Sequence, residues 1–173
     1  MNGAEDRPRV RVQRGLYADE LRVGDEFVHA PGRTLTETDN VLFTTLTMNP
    51  QALHLDHDYA AKQPLGNTLV NSMLTLSTMV GLSVPQLTQG TLVAQLGLGE
   101  IRFPAPLFPG DTLSVRSRVL SMRASGSRPG QWIVEFEHEG RKQDGTLVAS
   151  AVRTVLLWEE AAHLAHLAGE RPA

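Results

Sequence analysis

The hydrophobic pattern changes period part-way along the chain. Up to Val84 most apolar residues recur at helical spacing, whereas from Thr91 onward they alternate with polar ones. The longest helical candidate is Thr68 to Val84, where Leu69, Met73, Leu76, Val80 and Val84 fall near one face and Leu74 and Leu82 widen the stripe. Pro85 is expected to limit it. The remaining positions, Ser72, Thr75, Ser77, Thr78, Gly81 and Ser83, are small, so a sheet can wrap this helix closely. Upstream, Val23-Gly24-Asp25 turns the chain into a strand from Glu26 to His29, Pro31-Gly32 punctuates it, and Arg33 to Thr36 is a short β-tolerant piece. Thr36 or Thr38 then caps a helix whose first turn holds Glu37 and Asp39, where carboxylates suit the positive helix end. Val41, Leu42, Phe43 and Leu46 supply its apolar side, and Pro50 ends it near Met48. Asp56 is placed to cap a short helix from His57 to Lys62.

The alternating segments predict strands at Leu92 to Phe103, Asp111 to Ser121, Gln131 to His138 and Thr146 to Trp158. In the second, Leu113, Val115 and Val119 alternate with Thr112, Arg116 and Arg118; in the third, Trp132, Val134 and Phe136 share a face. Breaks come at Pro104, Pro106 and Pro109-Gly110-Asp111, in the hairpin loop Ala124 to Gly130, and at Asp144-Gly145. Helices followed by antiparallel strands predict an α+β fold, a sheet around a long central helix. One domain is expected over residues 16–158, with a flexible leader at 1–15 and a C-terminal tail at 159–173 that forms a short helix or frays.

Composition narrows the functions. A chain of 173 residues at 41% hydrophobic content holds one substantial core. The absence of cysteine removes disulfides, thiolate metal ligands and a thiol nucleophile, and it fits a reducing cytoplasmic interior. The net charge is -3, and fourteen of the 16 cations are arginines spread along the chain, so no basic patch is expected to bind nucleic acid. Met1 to Gln13 is charged with no apolar run, which predicts neither a signal peptide nor a membrane anchor. The six histidines are scattered, and His54 and His57 have no further cluster, so no metal site is expected.

Candidate chemistry is densest from Thr45 to Asp56, where an amide, a proline turn, an imidazole and a carboxylate crowd one connection between apolar segments. Two readings stand side by side. In one this loop is a site; in the other Asn49-Pro50 is a helix-ending turn and His54 a satisfied surface histidine. Asp56 reads as a cap rather than a catalytic group.

Three segments together resemble a known family. Thr45 to Asp56 followed by Tyr59-Ala60, Leu69-Val70-Asn71-Ser72-Met73-Leu74, and Phe103-Pro104-Ala105-Pro106-Leu107-Phe108-Pro109-Gly110-Asp111 are similar to the MaoC-like dehydratases, or (R)-specific enoyl-CoA hydratases. The resemblance covers about Tyr17 to Trp158 and implies a hot-dog fold, an acyl-CoA substrate, no cofactor beyond the coenzyme A of that substrate, and a homodimer or an assembly of dimers. Leu46-Thr47-Met48-Asn49 and Gly81-Leu82-Ser83-Val84 look most like the branch acting on branched or dicarboxylic acyl-CoAs such as itaconyl-CoA or mesaconyl-CoA.

The family's hydratases place an aspartate five residues before a histidine to hold and activate water. Here His54 matches the histidine and Asn49 stands at the aspartate position, so the implied catalytic pair is Asn49 and His54. An amide carbonyl orients water but does not take its proton, which leaves His54 as the acid/base. Where the family's central helix usually begins His-Gly, this chain has Asn71-Ser72; backbone N–H groups around Val70, Asn71 and Ser72 are the expected seat of the thioester oxygen. Arg33 and Arg102 are candidates for a distal carboxylate, against the plainer reading of each as a surface arginine. The alternatives are a hot-dog thioesterase, which usually relies on a carboxylate on the central helix where Thr68 to Val84 has none, and a non-catalytic acyl-CoA-binding protein.

Overall fold

The computed structural model describes residues 11–169; the start of the expected leader and the last residues of the tail lie outside the described residues. Strand β1 (Glu26–Thr34) leads to helices α1 (Glu37–Leu46), α2 (Ala52–Leu55), α3 (His57–Ala61) and α4 (Ser72–Leu87). Four strands follow, β2 (Leu92–Arg102), β3 (Thr112–Ala124), β4 (Gln131–Arg141) and β5 (Leu147–Trp158), before α5 (Glu160–Leu167). The five strands form one antiparallel sheet in the order β1-β3-β4-β5-β2, with α4 packed against β1, β3, β4 and β5.

Several boundaries differ from the sequence pattern for local reasons. Pro31-Gly32 does not end β1. The pairing His29↔Val115 is followed by Arg33↔Leu113, so the extra residues bulge out, as an edge strand tolerates because its outer donors need no partner. The residues 68–71 are not helical: Leu69 N–H donates to the Leu53 carbonyl and Val70 N–H to that of Leu107, and α4 starts only after Asn71 caps it by accepting from Met73 N–H at 2.9 Å. Pro85 lies inside α4 instead of limiting it.

The buried face of α4 meets the expected stripe in part. Leu74 and Leu76 are buried, with Thr75, Met79, Ser83 and Leu87 beside them, while Met73 is 47% exposed. The Met79 side chain packs directly against β4. At Gly140 on β4 an added Cβ would lie 3.2 Å from Met79 Sδ and 3.0 Å from Leu113 Cδ1.

The core is two apolar clusters. One gathers Leu35, Leu74, Leu76, Met79, Leu113 and Val148 near the start of α4; the other gathers Leu21, Leu87, Val119, Phe136, Val155 and Leu157 near its end. Polar side chains lie between them, one from each strand in sheet order: His29, Ser117, His138, Arg153 and Gln95. Burial pushes the His138 imidazole down to about 3, assisted by the positive charges of Arg153 and His29. At the chain's start, Gly15 N–H donates to the Gln89 carbonyl and Arg14 pairs with Glu20, so this end of the expected leader is held against the end of α4. Among the described residues no helix is long and apolar enough to cross a membrane.

Candidate active site

The polar connection after α1 is built from two capped turns. Thr36 caps α1 by accepting from Asp39 N–H at 3.1 Å, and the Asp39 carboxylate accepts from Thr36 N–H at 2.8 Å, the reciprocal arrangement of a capping box. After α1 the chain reverses through Met48, held at φ 55, and Asn49, whose N–H donates to the Thr44 carbonyl at 3.0 Å. Asn49 Oδ1 accepts from Gln51 N–H at 3.0 Å, an Asx turn that launches α2. The loop expected around His54 is therefore a helical turn, and Asp56 caps α3 by accepting from Tyr59 N–H at 2.9 Å.

His54 is half-buried on α2, and its Nδ1 lies 2.9 Å from the Leu69 carbonyl oxygen. A carbonyl only accepts, so Nδ1 carries the proton. In the neutral ring Nε2 then presents a lone pair, the state a general base requires. The same Leu69 carbonyl accepts a second bond, from Asn40 Nδ2 at 3.0 Å. Asn40 also donates to the His54 carbonyl at 3.1 Å and accepts from Asn71 N–H at 2.8 Å.

Leu69, whose carbonyl holds His54, also lines a cleft of about 270 Å³ with Leu65, Val70, Ser72 and the segment from Phe103 to Leu107. The cleft opens at the first turn of α4, where backbone donors and the helix dipole favour negative charge.

Residues 19–142 match the model of the family described as the MaoC like domain, most of the chain and all of the elements that build this cleft. The chain belongs to the MaoC-like family. The MaoC-like chain is 32% identical over 144 residues to β-methylmalyl-CoA dehydratase of Chloroflexus aurantiacus, covering 83% of this chain and 40% of that protein. It is 28% identical over 148 residues to mesaconyl-CoA hydratase of Cereibacter sphaeroides, covering 86% of this chain and 43% of that one. It thus spans about two fifths of the length of these relatives. Among solved structures it superposes, at TM-score 0.74 and 28% identity, on a Mycobacterium tuberculosis protein described as a double hot-dog fold, covering 86% of this chain and 46% of that one. The fold is a hot-dog.

Most of the backbone donors expected to meet a thioester oxygen are already bonded within the fold. Val70 N–H is taken by the Leu107 carbonyl at 2.8 Å and Asn71 N–H by Asn40, while Met73 N–H bonds the Asn71 cap. Of Val70, Asn71 and Ser72, only Ser72 at the cleft wall has its N–H left for a ligand. The two arginines lie apart. Arg33 pairs with Asp39 at 2.8 Å beside another cleft, of about 250 Å³, formed with Leu35, Leu74 and Leu82. Arg102 is exposed at the end of β2, next to Phe103 of the candidate site.

Sequence reasoning missed Asn40. Its one signal was a weak helix-forming amide inside a helix, beside apolar Val41 and Leu42. The Leu69 carbonyl had no signal, because every residue has one.

Proposed function

We propose that this protein catalyses the reversible hydration of a 2-enoyl-CoA thioester. The observation that carries the reading is the bond from His54 Nδ1 to the carbonyl of Leu69, a residue that lines the cleft with Ser72, which leaves Nε2 as the base. In the hydration direction His54 Nε2 takes a proton from water as its oxygen bonds to Cβ. The alkene electron pair moves to Cα and the thioester oxygen, where Ser72 N–H and the α4 dipole meet the developing charge, and the imidazolium returns a proton to Cα. Asn49 orients the water through the part of its amide that the Gln51 N–H does not occupy. This chemistry draws on no metal, and coenzyme A enters as part of the substrate.

The acyl group we favour is branched or dicarboxylic, of the mesaconyl-CoA or itaconyl-CoA type. The names of the Chloroflexus and Cereibacter relatives support that class. Arg102, beside Phe103 of the cleft, is the better placed of the two arginines for a distal carboxylate, since Arg33 already holds Asp39. We also propose a homodimer acting in the cytoplasm. The edge strand β2 carries exposed Leu96 and Ile101, and a structural relative carries two hot-dog units in one chain.

The test is a panel of straight-chain and methyl- or methylene-branched enoyl-CoAs, followed in parallel for loss of enoyl-thioester absorbance and for free CoA thiol. Because the chain has no cysteine, thiol reagents give no protein background. Absorbance loss without thiol release is expected. Thiol release in step with substrate loss would make the protein a thioesterase, and binding without turnover would make it a non-catalytic acyl-CoA binder.

A further inference from the structure

Asn40 is the fourth residue of α1 and only 1% exposed, a position where an amide brings its own helix no benefit. A buried amide persists where its polar atoms are satisfied, and here the partners come from two other segments, α2 and the stretch 69–71 before α4. Nδ2 reaches the His54 carbonyl on α2 and the Leu69 carbonyl before α4, and Oδ1 takes the N–H of Asn71, the residue that caps α4. One turn further along α1, Thr44 Oγ1 accepts from Asn71 Nδ2 at 3.2 Å, so the same face of α1 grips the cap twice. The planar amide thus fixes three chain segments in one geometry.

The consequence for His54 follows from valence. The Leu69 carbonyl has two lone pairs, one holding Asn40 Nδ2 and the other His54 Nδ1. The peptide unit between Leu69 and Val70 is held on its N–H side by the Leu107 carbonyl and on its carbonyl side by Asn40, so with Asn40 in place the imidazole has one orientation and one tautomer. Without it the carbonyl loses one of its two bonds, the His54 backbone loses its own anchor, and the ring is free to carry its proton on either nitrogen. The start of α4, with the Ser72 N–H, loosens at the same time.

We infer that Asn40 is a positioning residue: it holds the Leu69 carbonyl that selects the His54 tautomer, and in the same amide it sets the first turn of α4 against that base. The role rests on the reading of His54 as the acid/base, so the test needs one readout that does not depend on turnover. Nitrogen-15 NMR of histidine-labelled protein gives it, with the His54 signals assigned through His54→Gln.

Wild type is expected to show the proton on Nδ1 alone. Asn40→Ala is expected to show mixed tautomers, with kcat lowered about 100-fold, the scale of a misplaced catalytic group, and KM changed by less than about threefold. A variant that keeps the single tautomer and a kcat within about threefold of wild type would overturn the inference, whatever stability it loses. So would a wild-type ring protonated on Nε2. If Asn40→Ala does not fold, Asn40→Ser, which keeps one donor, carries the same comparison. A wild type inactive on every enoyl-CoA, with a tautomer that still moves in the variant, would overturn the hydratase reading and leave the positioning role standing.

Discussion

His29 and His138 face each other across a single hydroxyl. Ser117 Oγ lies 2.7 Å from His29 Nε2 and 2.6 Å from His138 Nδ1, and all three side chains are buried. A hydroxyl has one hydrogen and two lone pairs, so Ser117 satisfies one nitrogen of each ring, and a second proton on either ring would lie on His29 Nδ1 or His138 Nε2, both buried with no hydrogen-bond partner among the described residues. The positive Arg153, 2% exposed, sits on the next strand with Nε on Gln95 Oε1 at 3.2 Å. The centre of the sheet thus stays folded with neutral histidines.

Stability should fall in acid for that reason. The folded His138 titrates at about 3, far below the value near 6.5 of an unfolded histidine, so between these limits the unfolded chain binds the extra proton. The contribution is fully present above about pH 6.5 and is lost as pH falls toward 3, on the order of 1 kcal/mol per pH unit. Urea midpoints at pH 7 and pH 5 test it: the midpoint should drop on acidification, and by less in His138→Asn.

Ser117→Ala removes the shared partner and strands both ring nitrogens in the core. A cost of about 1 to 3 kcal/mol is expected from urea unfolding at pH 7, the range for buried polar atoms left unpaired. A change below about 0.5 kcal/mol would mean that the two rings find other partners.

His54→Ala should abolish hydration while leaving the circular dichroism spectrum and the oligomeric state as in wild type. His54 is half-buried on a short helix whose remaining contacts do not depend on the ring. Activity within about threefold of wild type would remove it from the mechanism.

Asn49 separates a structural role from a chemical one. Asn49→Asp keeps an acceptor oxygen for the Gln51 N–H, whereas Asn49→Ala deletes the Asx turn. Asn49→Ala should lower kcat by about 10- to 1000-fold. Asn49→Asp should keep crotonyl-CoA turnover and lose ground on mesaconyl-CoA, whose carboxylate it repels. Equal kcat/KM values for both substrates in all three proteins would reduce Asn49 to the residue that ends α1.

Gly15→Ala tests the anchor at the chain's start. An added Cβ would lie 2.5 Å from Thr88 N and 2.7 Å from the Leu87 carbonyl carbon, both backbone, so the segment must shift and strain its bond to Gln89. A loss of about 1 to 3 kcal/mol is expected on the scale of overpacking, measured by thermal and urea unfolding.

Much of this molecule was legible in its residues. The alternation of Leu113, Val115 and Val119 against Arg116 and Arg118 predicted β3 with its faces, and Gly145 and the 124–130 loop predicted the hairpins, because strand period and turn chemistry are local properties. The MaoC-like wording of Thr45 to Asp56 and Phe103 to Asp111 pointed to His54 and to the cleft segment. On α4 the apolar pattern placed Leu74 and Leu76 correctly in the core and the small Thr75 and Ser83 are buried too, but it also favoured Met73, which lies 47% exposed. That Val70 and Asn71 N–H are already bonded was not legible, because a helix start shows which donors lack a helical partner, not which of them another segment occupies.

The sequence by itself determined the α+β order of elements, the family, the His54 candidate and the capping of α3 by Asp56, and it narrowed the cap of α1 to Thr36 or Thr38. Each is read from short local patterns, a cap, a turn or a motif of a few residues, taken one after another along the chain. Only the tertiary structure decided that Leu69 sets the His54 tautomer, that Asn40 ties three segments, and that His29, Ser117, His138 and Arg153 form one polar band through the sheet. Those bonds join residues from 14 to 88 positions apart, and a hydrogen-bond donor carries no mark in the sequence of the distant acceptor that will meet it. Folding brings the pair together, and the packing of α1 and α4 on the sheet decides which pair it is.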